Sequence, residues 1–290
     1  MEIRELKYFL SVAREGSISR AAESLYITQP SLSRQMQNLE KEIGKQLFVR
    51  GQKIVLTEAG ELLKKRAEEM IALYDKTQAE LLAPAEEVYG EIFIGGGESH
   101  AISSVAKAAK KLLERSPEVR FNFFSGDTLE VCEKLDKGLI DFAVLVEPAD
   151  LSKYEYIRLP QKDTWGVLMR QDSPLAKKQF ITCEDLQGAP LIRSKHAINE
   201  NELSAWFKGE KGYNIVATYN LLYNASHLVK EGIGCAVGLD GIINTAGDSE
   251  LAFRPLKPKL ETSLAVAWKK RQVFSRAAEK FLEVLKEVVN

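Results

Sequence analysis

The sequence predicts an all-α amino-terminal head carrying a small β-hairpin, then a long linker helix, then a carboxy-terminal α/β body of two lobes. Three observations predict it. Apolar residues recur at helical spacing through the first 43 positions, and a further helical seam runs from 58 to 83. Beyond Gly90 short apolar strands alternate with helices, the pattern of largely parallel sheets covered on both faces. At 290 residues the chain is long enough for more than one domain and a substantial core.

The first helix is expected over Ile3 to Arg14, with Leu6, Phe9, Leu10 and Ala13 inward and Gly16 ending it. The stretch from Ser17 to Gly44 then reads as two short helices joined by a tight turn. Ser17 suits an N-cap, and Ala21, Ala22 and Leu25 give the helix after it a small apolar face that a second helix can approach closely. Tyr26 and Ile27 make the turn. Thr28 is a good N-cap, and Pro30 falls in the first turn, where its missing N–H costs little. Leu32, Met36, Leu39 and Ile43 recur at spacings of four, three and four, so one face of this helix is core. The opposite face carries Gln29, Ser31, Ser33, Arg34 and Gln37, side chains of the kind that read base edges and hold phosphates. This is a helix-turn-helix with its recognition helix at 29–43. Residues 47–60, LFVRGQKIVLTEAG, add a two-stranded wing with Arg50, Gly51 and Lys53 near its tip.

The run from Glu5 to Gly60, ELKYFLSVAREGSISRAAESLYITQPSLSRQMQNLEKEIGKQLFVR followed by LTEAG, resembles the winged helix-turn-helix of LysR-type transcriptional regulators over nearly sixty residues with its spacing intact. The resemblance implies a DNA-binding transcription factor whose partners are double-stranded DNA, a small-molecule inducer or co-inducer and RNA polymerase. It implies a homodimer joined through the linker helix, and two dimers assembled into a homotetramer. Gln29, Pro30, Ser33 and Arg34 are expected in the major groove, Arg50 on the backbone or minor groove, and Lys53 on phosphate.

Charge alone does not advertise this role. The formal net charge is −1, and residues 1–57 hold nine basic and six acidic side chains, a local +3 in which placement matters more than total. No signal peptide opens the chain and no apolar run approaches a membrane span, so a cytoplasmic protein with no membrane partner is expected. Cys132, Cys183 and Cys235 stand apart, with no CxxC and no histidine at ligand spacing, which favours inert thiols over a redox pair. Neither a metal nor a cofactor is expected.

Thr57 caps a helix beginning at Glu58, in which Leu63, Ala67, Met70, Tyr74, Thr77 and Leu81 alternate at spacings of four and three. A helix over 58–83 is about 39 Å long, and such a stripe needs a partner: its own domain or, the better reading, the same helix of a second copy in a homodimer. Pro84 and Gly90 then mark a boundary, giving domains 1–57, 58–89 and 90–290.

In the body, strands are expected at 91–96, 120–125, 141–146, 164–169, 190–193, 215–219, 234–237 and 262–268. Helices are expected at 99–113, from a capping box at Asp127 to Lys137, at 199–208, at 226–231 and at the carboxy terminus, where Phe274, Ala278, Phe281, Leu285 and Val288 share a face. This pattern is similar to the effector-binding domain of the same family, which is periplasmic-binding-protein-like (type II). By that likeness the first lobe holds about 90–160 and 269–290, and the second about 161–268. One departure is visible: GIGCAVGL ends in Leu239, where the family often has proline.

A ligand is expected between the lobes, where helix amino termini converge and exposed N–H groups suit a carboxylate or another small anion. Ser99 and Thr128 stand first; the family likeness adds Val146, Glu147 and Ser194, with His100, Arg193, His196, Asn224 and Ala225 nearby. Arg193 and His196 favour an anion, whereas Glu98 and Glu147 would repel one. An enzyme is the competing class, but the sequence holds no nucleophile elbow, Walker loop, metal-ligand spacing or dinucleotide fingerprint. Gly95-Gly96-Gly97 reads better as a strand-to-helix turn, and the three histidines form no recognisable relay.

Overall fold

The computed structural model describes residues 1–49, 51, 53–82, 88–195, 202–207 and 212–289. The chain divides into two compact units, Met1–Pro84 and Ala85–Asn290.

In the first unit α1 (Ile3–Glu15), α2 (Ile18–Ser24) and α3 (Gln29–Ile43) precede a wing of β1 (Phe48–Val49) and β2 (Val55–Leu56), and α4 (Glu58–Leu81) closes it. The core gathers Leu6, Phe9 and Val12 of α1, Ala21 and Ala22 of α2, and Leu32, Met36 and Leu39 of α3. Leu10 and Ala13, expected inward, are only half-buried, because α1 turns Val12 and Ser11 to the core instead. Gly16 ends α1 in the left-handed conformation that favours glycine, at φ 61°. Ser17 caps α2 through the Arg20 amide, 3.5 Å away. Thr28 sits at the N-cap of α3, yet its side chain makes no capping bond. Glu40 ties α3 to the wing by accepting the amides of Leu47 and Phe48 at 2.8 and 3.2 Å.

Helix α4 does not carry one continuous free seam. Ala67 is buried, and Leu63 and Ile71 pack beside it on the core of the head. A short helix-rich core needs that cover. Past Ile71 the apolar face emerges: Leu73, Tyr74 and Leu81 are 43%, 42% and 80% exposed.

The second unit is built on a nine-stranded sheet. Its strands and helices are, in chain order, β3 (Gly90–Gly96), α5 (Ile102–Arg115), β4 (Val119–Ser125), α6 (Thr128–Asp136), β5 (Phe142–Val146), β6 (Tyr154–Arg170), β7 (Pro190–Ser194), α7 (Glu202–Trp206), β8 (Asn214–Tyr219), α8 (Leu222–Lys230), β9 (Cys235–Leu239), β10 (Leu251–Pro255), β11 (Glu261–Lys269) and α9 (Arg276–Val289). The sheet order is β4-β3-β5-β11-β6-β9-β7-β8, with β10 also on β6. Its central element is the 17-residue β6. The first half of β6 pairs with β11 in one lobe; the second half pairs with β9 and β10 in the other.

In the first lobe, alternate residues of β5 face opposite sides: Phe142 and Val144 meet α5 and α9, and Ala143 and Leu145 meet α6. In the second, Leu168, Ile192 and Ala236 face α8, while Val167, Leu191 and Val237 face Leu203 and Phe207.

Two expectations are corrected. The sheets are mixed rather than largely parallel: β3 is parallel to β4 and β5, and β7 to β8 and β9, but β6 and β11 run antiparallel to their neighbours. Helical crossovers return the chain to a parallel neighbour, as for β3 with β4 and β7 with β8, whereas antiparallel neighbours need none. Residues 262–268 lie in the first lobe, since β11 is hydrogen-bonded between β5 and β6. The turn after Leu239 closes without proline, through Asp240 and Gly241, the latter at φ 75°. Pro84 and His196, with 199–201 and 208 of one expected helix, lie outside the described residues.

Candidate nucleic-acid interface and ligand cleft

Helix α3 turns Leu32, Met36 and Leu39 inward, so its other face is left to solvent. Gln29, Pro30, Ser31, Arg34 and Gln37 are exposed on that face and Ser33 is half-buried at its edge. Its first turn contains no acidic residue and no side-chain cap. The amides there, with the positive end of the helix dipole, suit a phosphate. Lys53 is exposed on the wing, while Arg50 lies outside the described residues. The wing is set against the helices by the Ile54 amide, which donates to Gly16 O at 3.0 Å.

In the second unit a cavity of about 160 Å³ opens between the lobes. Thr128, Val146 and Glu147 line it from the first lobe and Ser194 from the second. The remaining predicted residues that are described fall elsewhere. Helix α5 begins at Ile102, not Ser99, because His100 and Ala101 form a turn ahead of it. Ser99 is 8% exposed; its Oγ accepts the Ala101 amide at 2.9 Å, and its hydroxyl is turned to the carboxylate of Asp163 on β6. His100 is exposed and packs against Gly241. Arg193 is fully buried, its guanidinium 4.6 Å from the centre of the Phe207 ring. Asn224 is exposed on α8, and Ala225 is buried beneath it.

Free helix amides are also fewer than expected. Asp127 accepts the Leu129 and Glu130 amides at 3.0 Å each at the start of α6. Glu98 reaches over from the first lobe and accepts the Tyr223 amide at the start of α8, at 3.2 Å. The carboxylate-binding positions that the sequence suggested are thus filled by the chain's own carboxylates. Glu147 pairs with Arg158 at 3.0 Å, which raises the arginine further.

Sequence reasoning missed Trp165, Tyr219, Leu239 and Thr262 in the lining. Tyr219 and Leu239 end β8 and β9, and strand ends are where ligands bind in open α/β sheets, so position along the strand was the available signal. The Tyr219 hydroxyl donates to Val237 O at 2.6 Å.

Asp163 was also missed. It is 3% exposed, and among the described residues its Oδ2 has no hydrogen-bond partner. Burial pushes its carboxyl above the ordinary 3.8, although Ser99 and Ala101 pull the other way. The folded protein therefore holds that proton more tightly than the unfolded chain. The group's contribution to stability is full below the unfolded value and is lost as pH rises through the folded one. Asp163→Asn, which keeps an acceptor oxygen toward Ser99, should be as stable as the parent or more so at neutral pH. The gap should shrink on acidification, and the melting temperatures of both proteins between pH 4 and 7 check this. A gap that does not change with pH would remove burial of the charge as its cause.

Cys132, Cys183 and Cys235 are free thiols, and burial pushes Cys132 and Cys235 upward, away from the thiolate that a redox site needs. No group among the described residues could hold a metal ion. No helix among them is long and apolar enough to cross a membrane.

The bacterial regulatory helix-turn-helix model of the lysR family matches residues 3–61, and the LysR substrate-binding domain matches 85–290. The chain belongs to the LysR family. Its LysR-type head and body make it a DNA-binding transcriptional regulator and not an enzyme. Among relatives, the Hca operon transcriptional activator HcaR of Escherichia coli K12 is 29% identical over 296 positions, covering 99% of this chain and 98% of that one. The regulator YtlI of Bacillus subtilis 168 is 34% identical over 186 positions, covering 64% and 60%. The fold matches CbnR, a LysR family regulator, at TM-score 0.79 and 20% identity over the full length of both chains. CbnR complexed with its target DNA matches at 0.77 and 20%, covering 99% of this chain and 100% of that one.

Proposed function

We propose that this LysR-family regulator acts in the cytoplasm as a homodimer joined through α4. It places two α3 helices in successive major grooves of a near-palindromic promoter site, and switches transcription with RNA polymerase when a small metabolite enters the interlobe cavity. Assembly of two dimers into a tetramer belongs to the same reading. The observation that carries it is the division along α4. Its first half serves the core of the head, and its second half presents Met70, Leu73, Tyr74 and Leu81 as an uncovered face at spacings of three, one and seven. Lys7 of α1 lies 5.7 Å from the centre of the Tyr74 ring, but the face stays largely uncovered and suits an identical helix. CbnR, the relative of like fold, has been seen on its target DNA.

Leu73→Glu with Leu81→Glu should put like charges in the dimer contact and leave the head folded. Leu63 and Ala67 are unsuitable for this purpose, since they belong to the head's own core. Sedimentation should show monomers, with promoter affinity reduced at least a hundredfold through loss of bivalency. Intact dimers that bind normally would assign the face to another role.

Lys53→Ala provides a contrast on the wing. Without its ammonium group on a phosphate, every DNA sequence should bind more weakly by the same factor. The slope of log affinity against log salt should fall by about 1. Titration at several salt concentrations on specific and scrambled DNA reads both quantities.

A further inference from the structure

Among the described residues, the charged side chains lining the interlobe cavity are Glu98, Asp127 and Glu147, all acidic. They are not equally compensated. Asp127 is engaged as the cap of α6, and Glu147 faces Arg158. Glu98, like Asp127, is held by neutral backbone donors, for Glu98 the single Tyr223 amide, and these offset a carboxylate less than a cation would. Arg193 lies behind the wall on Phe207 and does not line the cavity. At the Tyr219 hydroxyl, burial and then Glu98 act upward, and Arg193 acts downward with the smaller effect. The wall of the cavity is therefore biased toward negative potential.

The rest of the lining fits that bias. Trp165 and Tyr219 bring aromatic rings to the lining, a side-chain type that attracts cations, and Val146 and Leu239 bring apolar side chains. At about 160 Å³ the cavity is close in size to an apolar cavity of roughly 150 Å³ that takes up benzene. An entering carboxylate would meet helix amides already engaged by Asp127 and Glu98, and would have to displace one of these like charges.

We infer that the effector is an organic cation of about one ring in size, whose ammonium group is received by Glu98 while its apolar part packs on Val146, Trp165 and Leu239. This rests on the interlobe cavity being the effector site. Glu98 is then the specificity-determining residue, because an amide at 98 would leave in the lining only Asp127, engaged at the cap of α6, and Glu147, paired with Arg158.

The test uses the full-length protein and three probes that share a ring and differ in charge: benzylamine, benzyl alcohol and benzoate. Calorimetry at pH 7 and fixed ionic strength should give saturable binding of benzylamine, at least tenfold tighter than the other two. Glu98→Gln can still accept the Tyr223 amide. It should weaken benzylamine at least tenfold and leave benzyl alcohol nearly unchanged. Tightest binding of benzoate, no binding of benzylamine, or benzylamine affinity indifferent to Glu98→Gln would each overturn the assignment. A Thr128→Trp variant, which fills the cavity, separates this failure from that of the site itself. If it blocks whichever probe binds, the cavity stands as the site and only the charge class is at issue. A probe that still binds to Thr128→Trp lies elsewhere, and the cavity reading fails with the inference built on it.

Discussion

Replacing Gln29 and Arg34 together with alanine should collapse sequence-specific promoter binding while the fold survives. Both are exposed on the face of α3 opposite Leu32, Met36 and Leu39, so neither contributes to the core. Each side chain that reads a base through paired hydrogen bonds is worth about 1–3 kcal/mol. Two independent base readers would therefore remove about 2–6 kcal/mol from each head, and a homodimer carries two heads. Specific binding exceeds non-specific binding by roughly 4–10 kcal/mol, so the double variant should lose much of its discrimination. A promoter fragment and a scrambled fragment titrated by fluorescence anisotropy should converge in affinity, and the single Arg34→Ala should lie between. A footprint unchanged in the double variant would take base reading away from this face.

The second large effect concerns folding, and its sign separates two physical rules. Gly60 lies in the first turn of α4, where alanine is the better helix former by about 1 kcal/mol. Propensity alone predicts that Gly60→Ala stabilises. The tertiary structure predicts the reverse, because a Cβ there would stand 2.2 Å from Leu47 O, a backbone atom. That carbonyl accepts the Thr57 amide at 3.0 Å and so helps to hold the wing against the start of α4. Relief requires moving the hairpin or the helix, and overpacking of this kind costs about 1–3 kcal/mol or more. In a unit of this size each kcal/mol is worth about 4–8 °C. Calorimetry should show the transition of the first unit lowered by about 10 °C or more and that of the second unmoved. A raised or unchanged transition would mean that the close approach of α4 to Leu47 is absent in solution.

Gly60 also marks the border between what is legible in the sequence and what is not. Local rules of period and capping identify α1, the pair α2 and α3, the wing, and the start of α4 at Thr57, because each depends on residues within a few positions of one another. The same is true of α6, whose capping box at Asp127 and Glu130 is present as expected. The exposed face of α3 follows from its apolar spacing alone. The family resemblance extends these local readings to a function.

Where interactions join distant parts of the chain, the sequence has no comparable signal. It shows only the part of β6 at 164–169, because nothing local records that the first half of that strand finds a partner in β11, far along the chain. Leu63 and Ala67 share the helical period of the exposed stripe, and only packing against α1 to α3 separates core from free surface. The cleft shows the same limit. Ser99 has the chemistry of a ligand-binding residue, but Asp163, 64 positions later, claims its hydroxyl. By sequence Glu98 is merely a charge that would repel an anion; the fold places it at the amino terminus of α8, 3.2 Å from the Tyr223 amide. Spacing along the chain determined which faces could bind, whereas hydrogen bonds between residues far apart in sequence decided which side chains were left to do so.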